Sequence, residues 1–328
     1  MNSILVTGGA GFIGSHLTER LLAEGCHVRV LDDLSTGRLE NLADCQSDPR
    51  LEVIVSTVSG CAALPLLVKE SRAVCHLAAA VGVDRVVRHP IRTIEINLDE
   101  SEAILAAASG TGTPVLLTST SEVYGKSPKT AFDEQDDLLI GPPHLARWSY
   151  ACSKLMDEFL AMAYSRERGL PVVIARLFNT VGPRQTGEHG MVLPRFLSAA
   201  IADQPLRVFG DGLQTRCFCY ATDTVEALFR LLNCPEAVGQ VVNVGNDEEI
   251  SILNLARRIL QILGSSSSID HVPYDIAYAP GFEDMSRRRP VIEKCHRLTG
   301  FRPSTSLDEM IRLTAAALNS AKRAQTPL

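Results

Sequence analysis

Short apolar runs rich in β-branched residues alternate with longer amphipathic stretches along the first half of the chain. The runs have the length and composition of buried strands, whereas the stretches between them carry apolar residues at helical spacing. The strand-like runs are SILVTG, HVRVLDD, AVCHLAA, PVLLTST and VVIARLFN, and the helical stretches include SHLTERLLAEG and EINLDESEAILAAASG. This alternation is typical of a parallel sheet with helices on both faces. The predicted fold class is therefore α/β, with a doubly wound parallel sheet.

The second half of the chain lacks this regular alternation. Its breaks are a GSSSS loop at 264–268 and the prolines Pro194, Pro205, Pro235, Pro273, Pro280, Pro290 and Pro303. We therefore predict a dinucleotide-type domain over residues 1–178 and a smaller substrate-binding domain over residues 179–328. A segment near 208–245, which includes the strand-like QVVNVG, is expected to return to the first domain.

Composition and charge narrow the setting. The 328 residues are 45% hydrophobic and 21% charged, an ordinary balance for a globular protein with a sizeable core. A formal net charge of -6 gives no general electrostatic reason to bind nucleic acid. The chain enters a strand-like run almost at once, and no apolar run has the length of a membrane span. The 9 cysteines are scattered. We expect reduced thiols, a cytoplasmic location and no membrane segment. Cys217 and Cys219 have no companions at metal-site spacing, so no metal is predicted.

A glycine-rich turn follows the first predicted strand. The stretch TGGAGFIGSHL places Gly8, Gly11 and Gly14 between a strand and a helix. Glycines there let the backbone approach a pyrophosphate, and the helix N-terminus offers N–H groups to its charge. The next predicted strand ends in Asp32, near the position at which a carboxylate binds the adenosine ribose. Because that carboxylate would repel the 2′-phosphate of NADP, the predicted cofactor of this Rossmann-type domain is NAD. The alternative is a structural turn followed by a solvated pair, Asp32 and Asp33.

Tyr150 and Lys154 form a second chemical pair in the stretch YACSK. Their spacing is i, i+4, so on a helix they share one face and meet in one site. A tyrosine with an ordinary pKa of ~10 is a poor base at neutral pH, but a nearby ammonium and a bound nicotinamide cation both favour the phenolate. Taken alone, the pair would be a surface feature of a helix, but beside a cofactor fingerprint it predicts a catalytic base.

The order of the motifs resembles the extended short-chain dehydrogenase/reductase family, whose members act on nucleotide sugars. Besides the glycine turn and the Tyr-x-x-x-Lys pair, the matching motifs are HLAA, Asn97, STSEVYG, RLFNTVGPRQ, PLRVFGDGLQTRCF and NVGN. The resemblance runs through nearly the whole chain. It implies a redox-active site at the end of the parallel sheet and a nucleotide-sugar substrate in the second half.

The resemblance implies roles for individual residues. The implied catalytic residues are Thr120, Glu122, Tyr150 and Lys154. The implied cofactor contacts are Gly8, Gly11, Phe12, Ile13, Gly14, Asp32, Asp33, Ser35, Thr36, Gly37, Val58, Leu77, Ala78, Ala79, Asn97, Tyr150, Lys154 and Phe178. The implied substrate contacts are Asn179, Arg184, Val192, Arg195, Val208, Arg216 and Arg288. Two of these, Arg216 and Arg288, are implied to clamp the nucleotide diphosphate, because a guanidinium fork suits phosphate oxygens.

Glu122 distinguishes among the reactions of this family. Sugar-nucleotide 4-epimerases usually carry a small or uncharged residue at the matching position, because hydride leaves C4 and returns to it with no other bond broken. UDP-glucuronate decarboxylases carry glutamate there, within the same Thr-Ser-Glu sequence. GDP-mannose dehydratases share that sequence but generally prefer NADP, which Asp32 opposes. The resemblance therefore implies NAD-dependent decarboxylation of UDP-glucuronate through a 4-keto intermediate, giving UDP-xylose or the 4-keto pentose.

Other functions remain open on the sequence. The same fold would serve a 4-epimerase acting on UDP-glucuronate or UDP-glucose, or a 4,6-dehydratase. A non-catalytic NAD-binding sensor is the alternative from another class, although it need not keep Thr120, Tyr150 and Lys154 together. Thr57 stands where relatives usually carry an aspartate that meets the adenine, and Val291 where an acidic residue commonly meets the nucleotide ribose. We therefore expect weaker contacts of Thr57 with the adenine of the cofactor and of Val291 with the ribose of the substrate nucleotide.

Two amphipathic stretches predict self-association. IEINLDESEAILAAAS and WSYACSKLMDEFLAMAYSRE present apolar faces broader than one sheet layer requires. Relatives pair such helices into a four-helix interface, so the resemblance implies a homodimer.

Overall fold

The computed structural model describes residues 2–82, 86, 88–186, 191–277 and 285–325. Its strands are β1 (Ser3–Thr7), β2 (His27–Asp32), β3 (Leu51–Val55), β4 (Ala73–His76), β5 (Val115–Thr120), β6 (Val172–Leu177), β7 (Thr180–Val181), β8 (Leu206–Phe209), β9 (Thr215–Cys217), β10 (Cys219–Tyr220), β11 (Gln240–Val244), β12 (Glu249–Ser251) and β13 (Ile269–Val272). Its helices are α1 (Phe12–Ala23), α2 (Leu64–Lys69), α3 (Pro90–Thr111), α4 (Trp148–Arg168), α5 (Val192–Ile201), α6 (Ala221–Leu232), α7 (Ile252–Leu263), α8 (Tyr274–Ala277), α9 (Glu293–Thr299) and α10 (Leu307–Gln325).

Seven strands form the central sheet in the order β11-β6-β5-β4-β1-β2-β3, and every neighbouring pair is parallel. The strand order reverses beside β1, whose neighbours are β2 and β4. In an open parallel sheet the crevice at such a reversal, at the carboxyl ends of the strands, is where ligands bind. The predicted α/β class with a Rossmann-type doubly wound sheet is confirmed.

Apolar residues cover both faces of this sheet because neighbouring residues of a strand point in opposite directions. On β1, Ile4 packs with Leu17 of α1 and Leu228 of α6, whereas Leu5 packs in a second cluster with Ile104 of α3. All are buried. Helices α1 and α6 thus cover one face and helices α2, α3 and α4 the other.

The predicted return segment joins the central sheet. Strand β11 pairs in parallel with β6 in the register from Gln240 opposite Val173 to Val244 opposite Leu177. Helix α6, directly before it, packs against α1. The residue numbers of the domain bounds, 1–178 and 179–328, stay a prediction.

A third apolar cluster lies outside the central sheet and joins elements of the second half of the chain. Its buried residues include Leu197 of α5, Val208 of β8, Leu255 of α7 and Ile311 of α10. Helix α7 ends at Leu263, and Gly264 follows in a left-handed conformation (φ +61°) at the start of the predicted serine-rich loop.

Within the described ranges, none of the helices combines the length and apolar composition needed to cross a bilayer.

Candidate active site

The glycine turn brings β1 directly against the start of α1. Gly8 has φ +68°, and a Cβ there would lie 2.8 Å from the Ala78 backbone nitrogen. A Cβ on Gly14 would lie 2.0 Å from the Gly8 carbonyl oxygen, so only glycine permits this approach of helix and turn. Among the described residues, no side chain caps α1 and its first turn is free of acidic residues. Gly11, at the N-terminus of α1, lines the cavity. This open helix N-terminus therefore fits the pyrophosphate of a dinucleotide.

Asp32 lies at the end of β2 beside this turn. Its Oδ2 accepts a hydrogen bond from the Ala10 amide and its Oδ1 one from the Leu34 amide, both at 2.9 Å. Burial raises the pKa of Asp32, and hydrogen bonds from the Leu34, Ala10 and Gly11 amides partly offset that rise. Each carboxylate oxygen retains a second lone-pair position, which suits the hydroxyls of a ribose. A Cβ on Gly37 would lie 2.7 Å from the Asp32 Oδ1, so Gly37 acts by making room for the carboxylate.

NAD is expected to bind more tightly than NADP. Asp32→Ala is expected to lower the ratio of the NADP dissociation constant to the NAD dissociation constant by about 10-fold or more. The reason is that juxtaposed like charges cost several kcal/mol, and the substitution removes the charge facing a 2′-phosphate. Calorimetric titration with both dinucleotides measures the ratio. Asp32→Asn is the matched variant, since it keeps the size of the side chain and loses only its charge. Tighter binding of NADP by the unchanged protein would contradict the assignment of Asp32.

The predicted catalytic residues meet where β5 ends and α4 begins. Thr120 is the last residue of β5, and its hydroxyl accepts a hydrogen bond from the Glu122 amide at 3.2 Å, within the 3₁₀ turn Ser121–Tyr124. The Tyr150 hydroxyl is hydrogen-bonded to the Thr120 side chain. Lys154 lies one helical turn further along α4 and is almost fully buried. The structure thus brings together Thr120, Glu122, Tyr150 and Lys154.

The electrostatics around Tyr150 keep it protonated. Burial raises its pKa strongly, the Glu122 carboxylate raises it further, and the hydrogen bond from Thr120 lowers it by less. The Lys154 ammonium donates to Asp157 Oδ2 at 2.8 Å, so part of its charge is neutralised by a fully buried carboxylate. The expectation from the sequence names two positive charges, the Lys154 ammonium and a bound nicotinamide cation, and here the first of them is partly neutralised by Asp157. In this state Tyr150 is a neutral phenol, and its activation requires a further positive charge.

Glu122 is held between arginines. Its Oε2 lies 3.1 Å from Nη2 of Arg147, and its Oε1 lies 2.5 Å from Nη1 of Arg288. Burial by itself would raise the pKa of Glu122, but the charges of Arg288, Arg147 and Arg216 together outweigh burial and lower it. The side chain is therefore an ionised, fixed carboxylate that can accept hydrogen bonds at neutral pH.

A cavity of about 1090 Å³ runs from the glycine turn past the catalytic residues into the second half of the chain. Most of the predicted site residues line it. They are Gly8, Gly11, Phe12, Ile13, Gly14, Asp32, Asp33, Ser35, Thr36, Val58, Leu77, Ala78, Ala79, Thr120, Glu122, Tyr150, Lys154, Phe178, Asn179, Val192, Arg195, Arg216 and Arg288. A cavity of this size at a reversal of strand order is the default binding site of an α/β protein.

Four predicted residues lie outside the cavity wall, and two of them act on it from behind. Gly37 makes room for Asp32, as described above. Asn97 is buried on α3, where its Oδ1 accepts from the Ala80 amide at 2.8 Å and its Nδ2 donates to the Ser153 hydroxyl at 2.9 Å. These bonds connect the loop after β4 to α4. Asn97 therefore positions this part of the cavity wall without lining the cavity itself.

Arg184 and Val208, predicted as substrate contacts, are not brought to the cavity. The Arg184 guanidinium pairs with the carboxylates of Glu19 and Asp44, the latter at 3.3 Å, and donates to the Ser15 hydroxyl at 3.2 Å. These partners hold the guanidinium between α1 and Asp44. Val208 is fully buried in the apolar cluster of the second half.

Arg147 is a site residue that the sequence reasoning missed. It precedes α4 by one residue, is 5% exposed, and reaches the Glu122 carboxylate. Its position three residues before Tyr150 is the signal that was available, because a helix start at this position brings it beside the turn after β5. Glu100, in the wall near β3, was also missed.

The two positions that depart from the family pattern differ in their surroundings. Thr57 lines the cavity, and its hydroxyl oxygen accepts from the Gly60 amide at 3.0 Å. Val291 lies outside the cavity wall, and its amide donates to the Phe132 carbonyl at 2.9 Å. Cys217 and Cys219 are buried in the neighbouring strands β9 and β10, and all nine cysteines are free thiols.

Comparison with known proteins gives consistent matches along the whole chain. Residues 5–314 match the family model described as GDP-mannose 4,6 dehydratase. A UDP-N-acetyl-alpha-D-glucosaminuronate decarboxylase of Bacillus cytotoxicus is 39% identical over 311 residues, which are 94% of this chain and 95% of that relative. UDP-glucuronic acid decarboxylase 1 of Arabidopsis thaliana is 37% identical over 306 residues, or 93% of this chain and 67% of that relative.

A solved structure has the same fold over nearly the whole chain. It is the UDP-glucuronic acid 4-epimerase of Bacillus cereus in complex with UDP-glucuronic acid and NAD. The two structures superimpose with a TM-score of 0.87 at 30% sequence identity, over 97% of this chain and 99% of that one.

Proposed function

Since the chain belongs to the GDP-mannose 4,6-dehydratase family of extended short-chain dehydrogenases/reductases, we propose that it is an NAD-dependent decarboxylase of a UDP-linked glucuronate. The reaction passes through a 4-keto intermediate and gives UDP-xylose or the 4-keto pentose. Its relatives of 37% and 39% identity are named for the decarboxylation of UDP-linked glucuronates. A 4-epimerase or a 4,6-dehydratase is the alternative within the same fold.

The observation that carries the proposal is the fixed carboxylate of Glu122 beside the Tyr150 and Thr120 hydroxyls. Oxidation and reduction at C4, which suffice for epimerisation, need a base and a hydrogen-bond donor. They do not need a second ionised group held by two arginines. Decarboxylation adds a carboxylate to lose and a proton to deliver at C5, and an ionised Glu122 in the same cavity as Tyr150 and Thr120 supports a role in those events.

The chemistry divides between the cofactor and the side chains. When bound, NAD would accept the hydride from C4, could return it after decarboxylation, and would carry positive charge. Tyr150 takes the proton of the 4-hydroxyl, and Thr120 hydrogen-bonds the oxygen at C4. The resulting ketone is β to the C6 carboxylate, so the electron pair of the breaking C5–C6 bond moves toward the C4 carbonyl as CO₂ leaves. The enolate then receives a proton at C5.

Glu122 and Lys154 have supporting roles that follow from their partners. Because Glu122 is ionised, it accepts a hydrogen bond from a water molecule and orients that water to deliver the C5 proton. Lys154, fixed by Asp157, binds the nicotinamide ribose and keeps positive charge on the Tyr150 side of the site. Arg216 and Arg288 bind the diphosphate of the substrate.

A panel of substrates tests the proposal. Purified protein is incubated with UDP-glucuronate, its 2-acetamido counterpart, UDP-galacturonate, UDP-glucose and GDP-mannose, and the products are followed by mass spectrometry and NMR. Loss of CO₂ from either uronate supports decarboxylation and identifies the group preferred at C2. Loss of water would assign a dehydratase, and an altered C4 configuration at unchanged mass would assign an epimerase.

We further propose a homodimer formed through α3 and α4. These helices pack against each other and expose large apolar side chains, with Ile94 37%, Met156 52% and Phe159 65% exposed. Such a surface supports an interface of standard size, on the order of 1,600 Å² in total. The free thiols support a reducing, cytoplasmic location.

Phe159→Arg is expected to convert the dimer into a monomer at micromolar concentration, because it places a charge at the centre of an apolar interface. Light scattering of the unchanged and substituted proteins measures the mass. Leu313→Arg, on the exposed side of α10, is the matched control and is expected to leave the dimer intact. A monomeric mass for the unchanged protein would refute the proposal.

A further inference from the structure

A buried carboxylate lies in the cavity wall against the loop that follows β3. Glu100 lies on α3, lines the cavity and is 6% exposed. Its Oε2 accepts from the Val58 amide at 2.5 Å, and its Oε1 accepts from the Ser59 hydroxyl at 2.7 Å. Both donors belong to the loop that follows β3. A glutamate this deeply buried requires partners, and here the partners form part of the ligand wall.

The position of this wall is fixed by the orientation of the dinucleotide. The pyrophosphate belongs at the glycine turn and the adenosine ribose at Asp32, whereas the nicotinamide belongs beside Tyr150. Strand β3 is the neighbour of β2, and the Ser56 amide donates to the Asp32 carbonyl at 3.1 Å. The loop after β3 therefore lies directly beyond the ribose, where the adenine of the dinucleotide must be.

Adenine presents an amino group at C6, and that group needs an acceptor. An ionised carboxylate offers only acceptor positions, and each oxygen of Glu100 uses one of them in the bonds described above. The hydroxyl of Thr57, which also lines this part of the cavity, accepts from the Gly60 amide and is uncharged, so it is a weaker acceptor than the Glu100 carboxylate. Asp99 also lines the cavity but is exposed to solvent, so its carboxylate is hydrated.

We propose that Glu100 is the residue that selects adenine, with its carboxylate accepting a hydrogen bond from the 6-amino group of the cofactor. A second role follows from the same bonds, since Glu100 also fixes the loop at Val58 and Ser59 against which the base lies. The inference rests on the NAD site of the proposed function but not on the reaction catalysed there. Failure to bind NAD at all would reject the proposed cofactor, whereas the experiment below concerns only the choice of base.

Nicotinamide hypoxanthine dinucleotide tests the proposal because its base carries an oxygen acceptor where NAD carries the 6-amino donor, with a hydrogen added at the neighbouring N1. The unchanged protein is expected to bind NAD more tightly by roughly 10-fold or more, the effect of losing one charge-assisted hydrogen bond and setting an oxygen against a carboxylate. Glu100→Gln is expected to bring the ratio of the two dissociation constants close to one, because a carboxamide both donates and accepts. Calorimetry gives the ratio without reference to activity.

Two variants separate base selection from loop stability. Asp99→Asn is expected to keep the ratio of the unchanged protein, and Ser59→Ala is expected to weaken both dinucleotides equally while keeping the ratio. An unchanged protein that binds the two dinucleotides equally would overturn the proposal, and this measurement needs no variant to fold. A folded Glu100→Gln protein with an undiminished ratio would overturn it as well, as would an Asp99→Asn protein that loses the ratio.

Discussion

Tyr150→Phe is expected to remove oxidation at C4 of the substrate and to lower kcat/KM by about 10²- to 10⁴-fold, the range for loss of a general base. The hydroxyl that the substitution deletes belongs to a half-buried residue of the cavity wall and is hydrogen-bonded to Thr120. The phenylalanine ring fills the same space, so the NAD site should keep its affinity. NADH absorbance in a single turnover with UDP-glucuronate measures the oxidation step directly.

Tyr164→Phe is the matched control for this prediction. It deletes the same atom from the same helix, but the Tyr164 ring packs against the Arg168 guanidinium, 5.0 Å from the ring centroid, away from the turn after β5. This variant is expected to keep full activity. Rapid NADH formation by Tyr150→Phe would show that another group deprotonates the 4-hydroxyl.

Glu122→Gln is expected to separate the two halves of the reaction. Oxidation at C4 should still produce NADH absorbance with UDP-glucuronate, because Tyr150, Thr120 and Lys154 are unchanged. Over many turnovers the release of CO₂ should fall by roughly 10²-fold or more, because the carboxamide keeps the size of the side chain but lacks the charge that orients the proton-delivering water. An enolate that is protonated slowly keeps the site occupied after the first loss of CO₂. Trapped CO₂ and NADH absorbance, recorded on the same sample, compare the two steps.

The substitution also leaves Arg147 and Arg288 facing a neutral group, so stability must be measured in parallel. Thermal unfolding of Glu122→Gln beside the exposed variant Glu167→Gln shows how much of any loss is due to folding. An equal loss of oxidation and CO₂ release would make Glu122 a structural or binding residue. Full activity of the Glu122→Gln protein would favour the alternative function, a 4-epimerase.

The fold could be predicted largely from the sequence because its signals are local. Strands of a parallel sheet are apolar on both faces, so runs such as SILVTG and PVLLTST stand out as continuous apolar segments. The glycine turn is equally local, since Gly8 and Gly14 are needed for the contact of β1 with α1. The small strands β7, β10 and β12 have two or three residues each and carry no periodic pattern to recognise.

The site could be predicted where chemistry is tied to a motif, as for Asp32, Tyr150 and Lys154. It could not be predicted where the contact joins distant parts of the chain. Glu122 meets Arg147 and Arg288 only after three segments fold together, and its ionised state follows from that meeting. For Arg184, a motif position implied a substrate contact, which stays a prediction, and the folded chain pairs its guanidinium with Glu19.

The place of β11 at the edge of the central sheet has a consequence for how the protein is made. During synthesis on the ribosome, β6 emerges long before its partner β11, and until residue 244 is available its outer edge is unpaired. The α1 surface at Leu17 and Leu21 is likewise uncovered until Leu228 arrives. A chain that stops at residue 178 is therefore expected to aggregate, because β6 and α1 would lack the partners that β11 and α6 provide.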